Sequence, residues 1–124
     1  MEEKTRKGSR INQRQTGMLY ERQAAEYLRN LGYEILDRNY RCRFGEIDIV
    51  AKDGRYVVFC EVKYRRDSRK GTPLEAVDPR KQHVIFRCAR CYLYERRSGD
   101  VPCRFDVIGI EGEKVTHIKN AFIG

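Results

Sequence analysis

The 124-residue chain is 40% hydrophobic and 10% aromatic, with 8 Tyr, 5 Phe and no Trp, which suits one compact domain and excludes general disorder. Lys and Arg number 26 against 18 Asp and Glu, a formal charge of +8; that excess points to a polyanionic partner, nucleic acid first, or else to a solvated, solubilising surface. No apolar run reaches the roughly 18 residues of a membrane span and the polar start MEEKTRKGSR holds no secretory core, so neither spanning nor secretion is expected.

In chain order, residues 1–16 are polar and basic and read as a flexible N-terminal arm able to touch phosphates. Residues 17–124 then form a single domain. Its first helix runs from Gly17 to Leu31, with Ala24, Ala25, Leu28 and Leu31 on one stripe and Gly32 as the stop. Glu21 falls on that stripe; turned inward it needs a partner such as a cation, and at the stripe's edge it would turn to solvent. Strand-like alternation follows at Tyr33 and Ile35 and at Tyr40, Cys42 and Phe44, with an irregular Asp37-Arg38-Asn39 between them. EIDIVA and YVVFCEVKY are separated by Lys52-Asp53-Gly54-Arg55, and Asp-Gly between β-rich runs is a strong hairpin signal.

Farther on, Thr72-Pro73-Leu74-Glu75 has a capping-box arrangement and Asp78-Pro79 offers a second helix start. The main helix is predicted from Pro79 to about Arg97, burying Val84, Ile85, Cys88, Ala89, Tyr92 and Leu93 and ending at Ser98-Gly99-Asp100. The strands CRFDVIGI and VTHIKNAF close the chain, joined near Glu111-Gly112. The order is α-β-β-β-α-β-β: a small mixed α/β sheet flanked by helices, the long helix crossing between the third and fourth strands. Five cysteines, an odd number without a leader, read as reduced thiols in a cytoplasmic setting. Cys88 and Cys91 form a C-x-x-C with no second pair, which reads as helix cysteines facing the core and not as a zinc site.

The carboxylates carry the chemistry. With Asp53-Gly54 as the two-residue turn, Lys52 pairs with Arg55, so Glu46 lies opposite Glu61, Asp48 opposite Phe59 and Phe44 opposite Lys63. Alternation then sets Glu46, Asp48, Glu61 and Lys63 on one face. Two unit charges about 5 Å apart repel by roughly 3 kcal/mol at an effective dielectric near 20, and a hard divalent cation with oxygen ligands offsets that best. Asp48 and Glu61 would hold Mg²⁺, Lys63 would orient water or steady the phosphoryl charge, and Glu21 is a further candidate ligand. The plainer reading leaves Glu61 and Lys63 as an ion pair on an exposed face. Lys63 to Lys70 holds five positive charges against Asp67, and Tyr64, Arg65, Arg66, Arg69 and Lys70 are the candidates for gripping a phosphate backbone.

Asp48 followed by Glu61-Val62-Lys63 resembles the D…E-x-K signature of the PD-(D/E)xK nuclease superfamily, the restriction-endonuclease-like fold. A larger share of the chain is similar to the YraN-like family, assigned as endonucleases by inference. The matching segments are Gly17 with Glu21, Gly32-Tyr33, Asn39-Tyr40, the run Gly45 to Ala51, Phe59 to Lys63, Val77 with Lys81, and Arg104 to Val107, covering about Asn12 to Phe122. More distantly the chain is similar to archaeal Holliday junction resolvases, which act as dimers with two sites, although no seam for a homodimer is visible here. The resemblance implies a Mg²⁺ or Mn²⁺ site with Glu21, Asp48 and Glu61 as acidic ligands and Lys63 as the catalytic lysine. Glu46 and Lys81 are auxiliary candidates, Lys81 preferred over Gln82. Ile47 stands where the superfamily motif has Pro. The implied function is a cytoplasmic, metal-dependent endonuclease acting on DNA, branched or damaged DNA in recombination or repair. The alternatives are a non-catalytic nucleic-acid-binding module that keeps the fold, or a subunit whose basic face meets an acidic protein.

Overall fold

A computed structural model describes residues 17–65, 73 and 77–123. The N-terminal arm, Arg66, Arg69, Lys70 and three of the four capping-box positions (Thr72, Leu74 and Glu75) lie outside the described residues. Among the described residues, seven elements occur in the expected order: α1 (17–30), β1 (Glu34–Cys42), β2 (Gly45–Asp53), β3 (Tyr56–Tyr64), α2 (Pro79–Glu95), β4 (Cys103–Glu111) and β5 (Lys114–Ile118). Among the described residues no helix is long and apolar enough to cross a membrane.

The strands form one sheet in sequence order, antiparallel except where β4 runs parallel to β3 after the α2 crossover. The two helices cover opposite faces. Ala24, Ala25 and Leu28 of α1 pack on Ile49, Ala51, Val58, Cys60, Ile108 and Ile110. Cys88, Ala89 and Tyr92 of α2 pack on Ile47, Val50, Val57 and Phe59, and Ile85 packs on Val107, Val77 and Phe122. Covered on both sides, the middle strands bury consecutive residues, which is why YVVFCEV reads as an apolar run and not as alternation. Each fully buried aliphatic side chain here contributes about 1.5–3 kcal/mol.

Helix ends differ from the expectation in instructive ways. α1 closes through Gly32 N–H to Arg29 O (2.9 Å) and Tyr33 N–H to Leu28 O (3.0 Å), which folds Tyr33 back onto Leu28. Leu31 therefore lies past the last helical residue and is 49% exposed, outside the apolar stripe. α2 starts as expected, with Asp78 Oδ1 accepting from Lys81 N–H at 2.9 Å and Pro79 in the first turn. It stops at Glu95, two residues early, because Arg97 takes the left-handed turn (φ +51°) while Ser98 N–H bonds back to Leu93 O. β5 also ends early, at Ile118, where Asn120 turns at φ +53° and gives its N–H to Asp106.

The central hairpin is slid by two residues from the predicted register. Asp53 pairs with Tyr56 and Ile49 with Cys60, so the turn residues are Gly54 and Arg55. Gly54, at φ +61°, holds the first turn position, where a type II′ hairpin requires glycine, and Asp53 is retained in the ladder with its carboxylate on Arg104 Nη1 at 2.9 Å. The first connection is as tight: Cys42 pairs with Gly45. A Cβ on Gly45 would lie 2.6 Å from Val84 Cγ1, so α2 can rest on this turn only because the position is glycine.

A candidate active site across three strands

β2 and β3 stop pairing after Ile49 and Cys60. At the next step Asp48 and Glu61 come opposite each other, where the predicted register had them diagonal. The alternation of β2 breaks at the same point: Ile47 packs in the α2 cluster and Ile49 in the α1 cluster, although they are two apart. Freed from the ladder, Val62 N–H donates to Asp48 Oδ2 at 2.8 Å. Glu61 is only 6% exposed; its Oε2 lies 3.3 Å from Lys81 Nζ but makes no hydrogen bond.

Burial, followed by the hydrogen bond and charge of Glu61, pushes the Asp48 carboxyl up to about 8, against the pull of Val62 N–H and the Lys81 charge. At neutral pH the pair thus shares a proton that two separate carboxylates would shed. Glu61 and Asp48 in turn raise the Lys81 ammonium above its ordinary value, although burial acts the other way.

Glu21 stands at the rim of this pair and is half-buried, between the inward and solvent-facing positions left open by the stripe, and its partner is an amide and not a cation. Asn39, at φ +54° in β1, donates through its side-chain nitrogen to both Glu21 oxygens, at 2.6 and 3.1 Å. The β1–β2 register sets Asn39 beside Asp48, since Arg38 pairs with Ile49 and Tyr40 with Ile47. Burial first and Asp48 second raise the Glu21 carboxyl, while Arg38 and Asn39 act to lower it. Asn39 is the functional candidate that reasoning from side-chain chemistry missed. The signal was available in the irregular Asp37-Arg38-Asn39, because Asn is among the few residues at home at positive φ.

The other predicted positions separate. Lys81 reaches the carboxylates; Gln82 is used instead to bond Val77 O. Lys63 follows Glu61 on β3 and pairs with Gly109. Glu46 does not sit opposite Glu61: it faces Arg41 across the first hairpin, bonding its Nε at 3.1 Å at the surface. Tyr64 is exposed on one side and stacked on Tyr20 at 3.9 Å between ring centroids, and Arg65 is half-buried, with its N–H on Ile110 O.

The donor set suits a hard cation. A buried carboxylate oxygen without a hydrogen bond, beside a carboxyl that burial and the neighbouring Glu61 hold protonated, is what a divalent ion with oxygen ligands satisfies. Among the described residues no three His, Cys, Asp or Glu side chains group as a metal cage, so Glu21 does not join Asp48 and Glu61 as a third close ligand. Two carboxylates with water completing the shell is the manner in which Mg²⁺ is commonly held.

A second buried acid lies one register step away on the α1 face. Asp106, fully buried, accepts from Arg104 Nε (2.9 Å) and Nη2 (3.0 Å), from Asn120 N–H (3.0 Å) and shares a 2.7 Å bond with His117 Nε2. Tyr27 OH lies 3.2 Å from the other His117 nitrogen, and Tyr33 OH accepts from Arg104 at 2.7 Å. Burial alone would raise this carboxyl, but His117, Arg104 and Asn120 together hold it below the ordinary value. His117, to which the sequence assigned no role, is a structural partner.

The sequence profile described as "Uncharacterised protein family UPF0102" matches residues 20–110 of the chain. A UPF0102 protein of Lachnoclostridium phytofermentans is 50% identical over 113 residues, covering 90% of this chain and 96% of the relative. One from Syntrophus aciditrophicus is 49% identical over 111 residues, 86% of this chain and 87% of its own. One from Persephonella marina is 46% identical over 102 residues, 82% and 88%.

Proposed function

The chain belongs to the UPF0102 family, and from that premise and the geometry of its carboxylates we propose that it is a divalent-metal-dependent endonuclease of the restriction-endonuclease-like type, hydrolysing phosphodiester bonds in DNA. The observation that carries the reading is the Asp48–Glu61 pair, Glu61 buried and Asp48 half-buried, at the point where the β2–β3 ladder opens. A charge of +8 supports a polyanionic substrate, and the E-x-K spacing of Glu61 and Lys63 supports phosphoryl chemistry.

In this reading Asp48 and Glu61 hold Mg²⁺ or Mn²⁺, and the ion supplies Lewis-acid polarisation of a phosphoryl oxygen and a more acidic bound water. Val62 N–H fixes one Asp48 oxygen and so aims the other. Lys63 is assigned to orient the attacking water and to balance charge on the phosphoryl oxygens. Lys81, paired with Glu61, is a positioning residue, and Asn39 holds Glu21 at the rim where it can bond an outer water. Tyr64 and Arg65 are assigned to the phosphate backbone, affinity without sequence readout. Branched or damaged DNA is the substrate class that the resolvase similarity favours, and cytoplasmic residence goes with it.

The test is cleavage of labelled four-way-junction, flap, linear double-stranded and single-stranded DNA, with an RNA duplex beside them, in Mg²⁺, Mn²⁺ or EDTA. Cutting that needs metal and falls at least about 100-fold in Glu61→Gln and in Lys63→Ala is expected. Equal binding by wild type and variants with no cutting in any metal would overturn the enzyme and leave a nucleic-acid-binding module.

A further inference from the structure

We propose that Cys42 and Cys88 form a peroxide-sensitive dithiol site, with Cys42 the attacking sulfur and Cys88 the partner that closes a disulfide. The site stands apart from the carboxylates and does not depend on the nuclease reading. Cys42 ends β1 and Cys88 lies midway along α2, yet their Sγ atoms are 3.3 Å apart. Gly45 makes that approach possible: a Cβ there would crowd Val84 and reach within 3.7 Å of Cys88 Sγ.

The surroundings favour a thiolate at Cys42 and not at its neighbours. Burial acts to raise it, but the backbone N–H groups of Phe44 and Gly45 and the thiols of Cys88 and Cys91 hold it below the ordinary cysteine value. Burial and the link to Cys42 push Cys88 up to about 12. Arg43 and Arg87 lie over the Phe44 ring, at 4.8 and 5.3 Å, and the Arg43 charge acts on the Cys91 thiol. A cavity of about 460 Å³ lined by Phe44, Arg87, Arg90, Cys91 and Tyr94 opens at Cys91, the thiol that neighbours Cys42.

The chemistry balances with a hydroperoxide as oxidant. Cys42 thiolate attacks the peroxide O–O bond; hydrogen peroxide leaves hydroxide, and Cys42 becomes a sulfenic acid. Cys88 sulfur then attacks Cys42 sulfur, the S–S bond forms, and the sulfenic oxygen leaves as water with the Cys88 proton. An external thiol returns both sulfurs to thiols. The bond ties the connection entering β2, which carries Asp48, to the helix that carries Lys81.

The experiment treats reduced full-length protein with hydrogen peroxide, alkylates it under denaturing conditions and maps the peptides by mass. Two of the five free thiols should escape alkylation, with a Cys42–Cys88 cross-linked peptide, a loss of about 2 Da before alkylation and recovery in dithiothreitol. Cys42→Ser and Cys42→Ala should each abolish the cross-link, and Cys91→Ser should retain it. Cys60 and Cys103 should remain alkylatable throughout. Five alkylated cysteines after peroxide, a Cys42–Cys91 or intermolecular bond instead, or a cross-link that survives without Cys42 would overturn the proposal.

Discussion

Two acids sit back to back in the centre of this sheet, and the protein treats them in opposite ways. Asp106 pairs in register with Cys60, and Glu61 pairs one step along with Val107, so their side chains leave the sheet on opposite faces. On the α1 face, Asp106 has donors for both oxygens from a guanidinium, an imidazole and a backbone amide. On the α2 face, Glu61 and Asp48 share one backbone N–H and one half-exposed ammonium between two carboxyls. Burial of an acid therefore does not mark function; the balance of donors does. The satisfied acid belongs to the scaffold, and the under-satisfied pair is the one that the proposed cation would complete.

The largest expected effect is on the satisfied side. Asp106→Ala leaves Arg104 and His117 facing a hole, and removing one partner of a buried ion network costs about 3–5 kcal/mol. For a domain of this size that lowers Tm by about 10–20 °C, while any cleavage per folded molecule is kept at low temperature. A melt within a few degrees of wild type would break the contrast at its root.

The opposite sign is expected across the sheet. Asp48→Asn should raise Tm in EDTA at pH 8, by about 1–3 kcal/mol of stability, because it removes a carboxyl whose ionisation the fold resists. It should also lower metal-dependent cleavage at least about 100-fold. The pH dependence follows from the two shifts. Asp48 keeps its proton up to about 8 in the fold and to about 4 when unfolded, so its contribution to stability fades as pH rises between those values. Asp106 is shifted down; its contribution is fully present above about 4 and is lost as pH falls below that through its lowered native value. Metal-free wild type should thus lose stability towards pH 8, and Asp48→Asn should flatten that limb while leaving the acid limb alone. An unchanged alkaline limb in the variant would refute the proton sharing at the pair.

How much of this contrast could be read in advance depends on how local each feature is. The start of α2 at Asp78-Pro79 and the crossover order rest on neighbouring residues and were legible. The hairpin was legible as a hairpin but not in register. A slip of two residues keeps the predicted faces of β3 and of β2 from Asp48 onward but changes every partner, so Asp48 passes from opposite Phe59 to opposite Glu61, the pairing on which the site depends. The contact of Asn39 with Glu21 joins β1 to α1, elements that meet only in the folded chain, and no local signal marks the break in alternation at Asp48. His117 was illegible for a similar reason: its partner Asp106 is eleven residues away and meets it only through the β4–β5 pairing.

The smallest expected effect tests whether the demand at the pair is for positive charge in general. Lys81 is 36% exposed at its side chain, so its ion pair with Glu61 is screened and is worth about 0.5–1 kcal/mol. Lys81→Gln should therefore lower Tm in EDTA by only a few degrees. In millimolar Mg²⁺ the deficit should shrink, because the ion supplies the charge that the lysine gave and binds only the folded site. Wild type and variant melts run with and without Mg²⁺ form a cycle whose coupling measures that replacement directly. A deficit that stays the same in both conditions would mean that Lys81 and the metal act on separate groups, and that Glu61 is not a ligand.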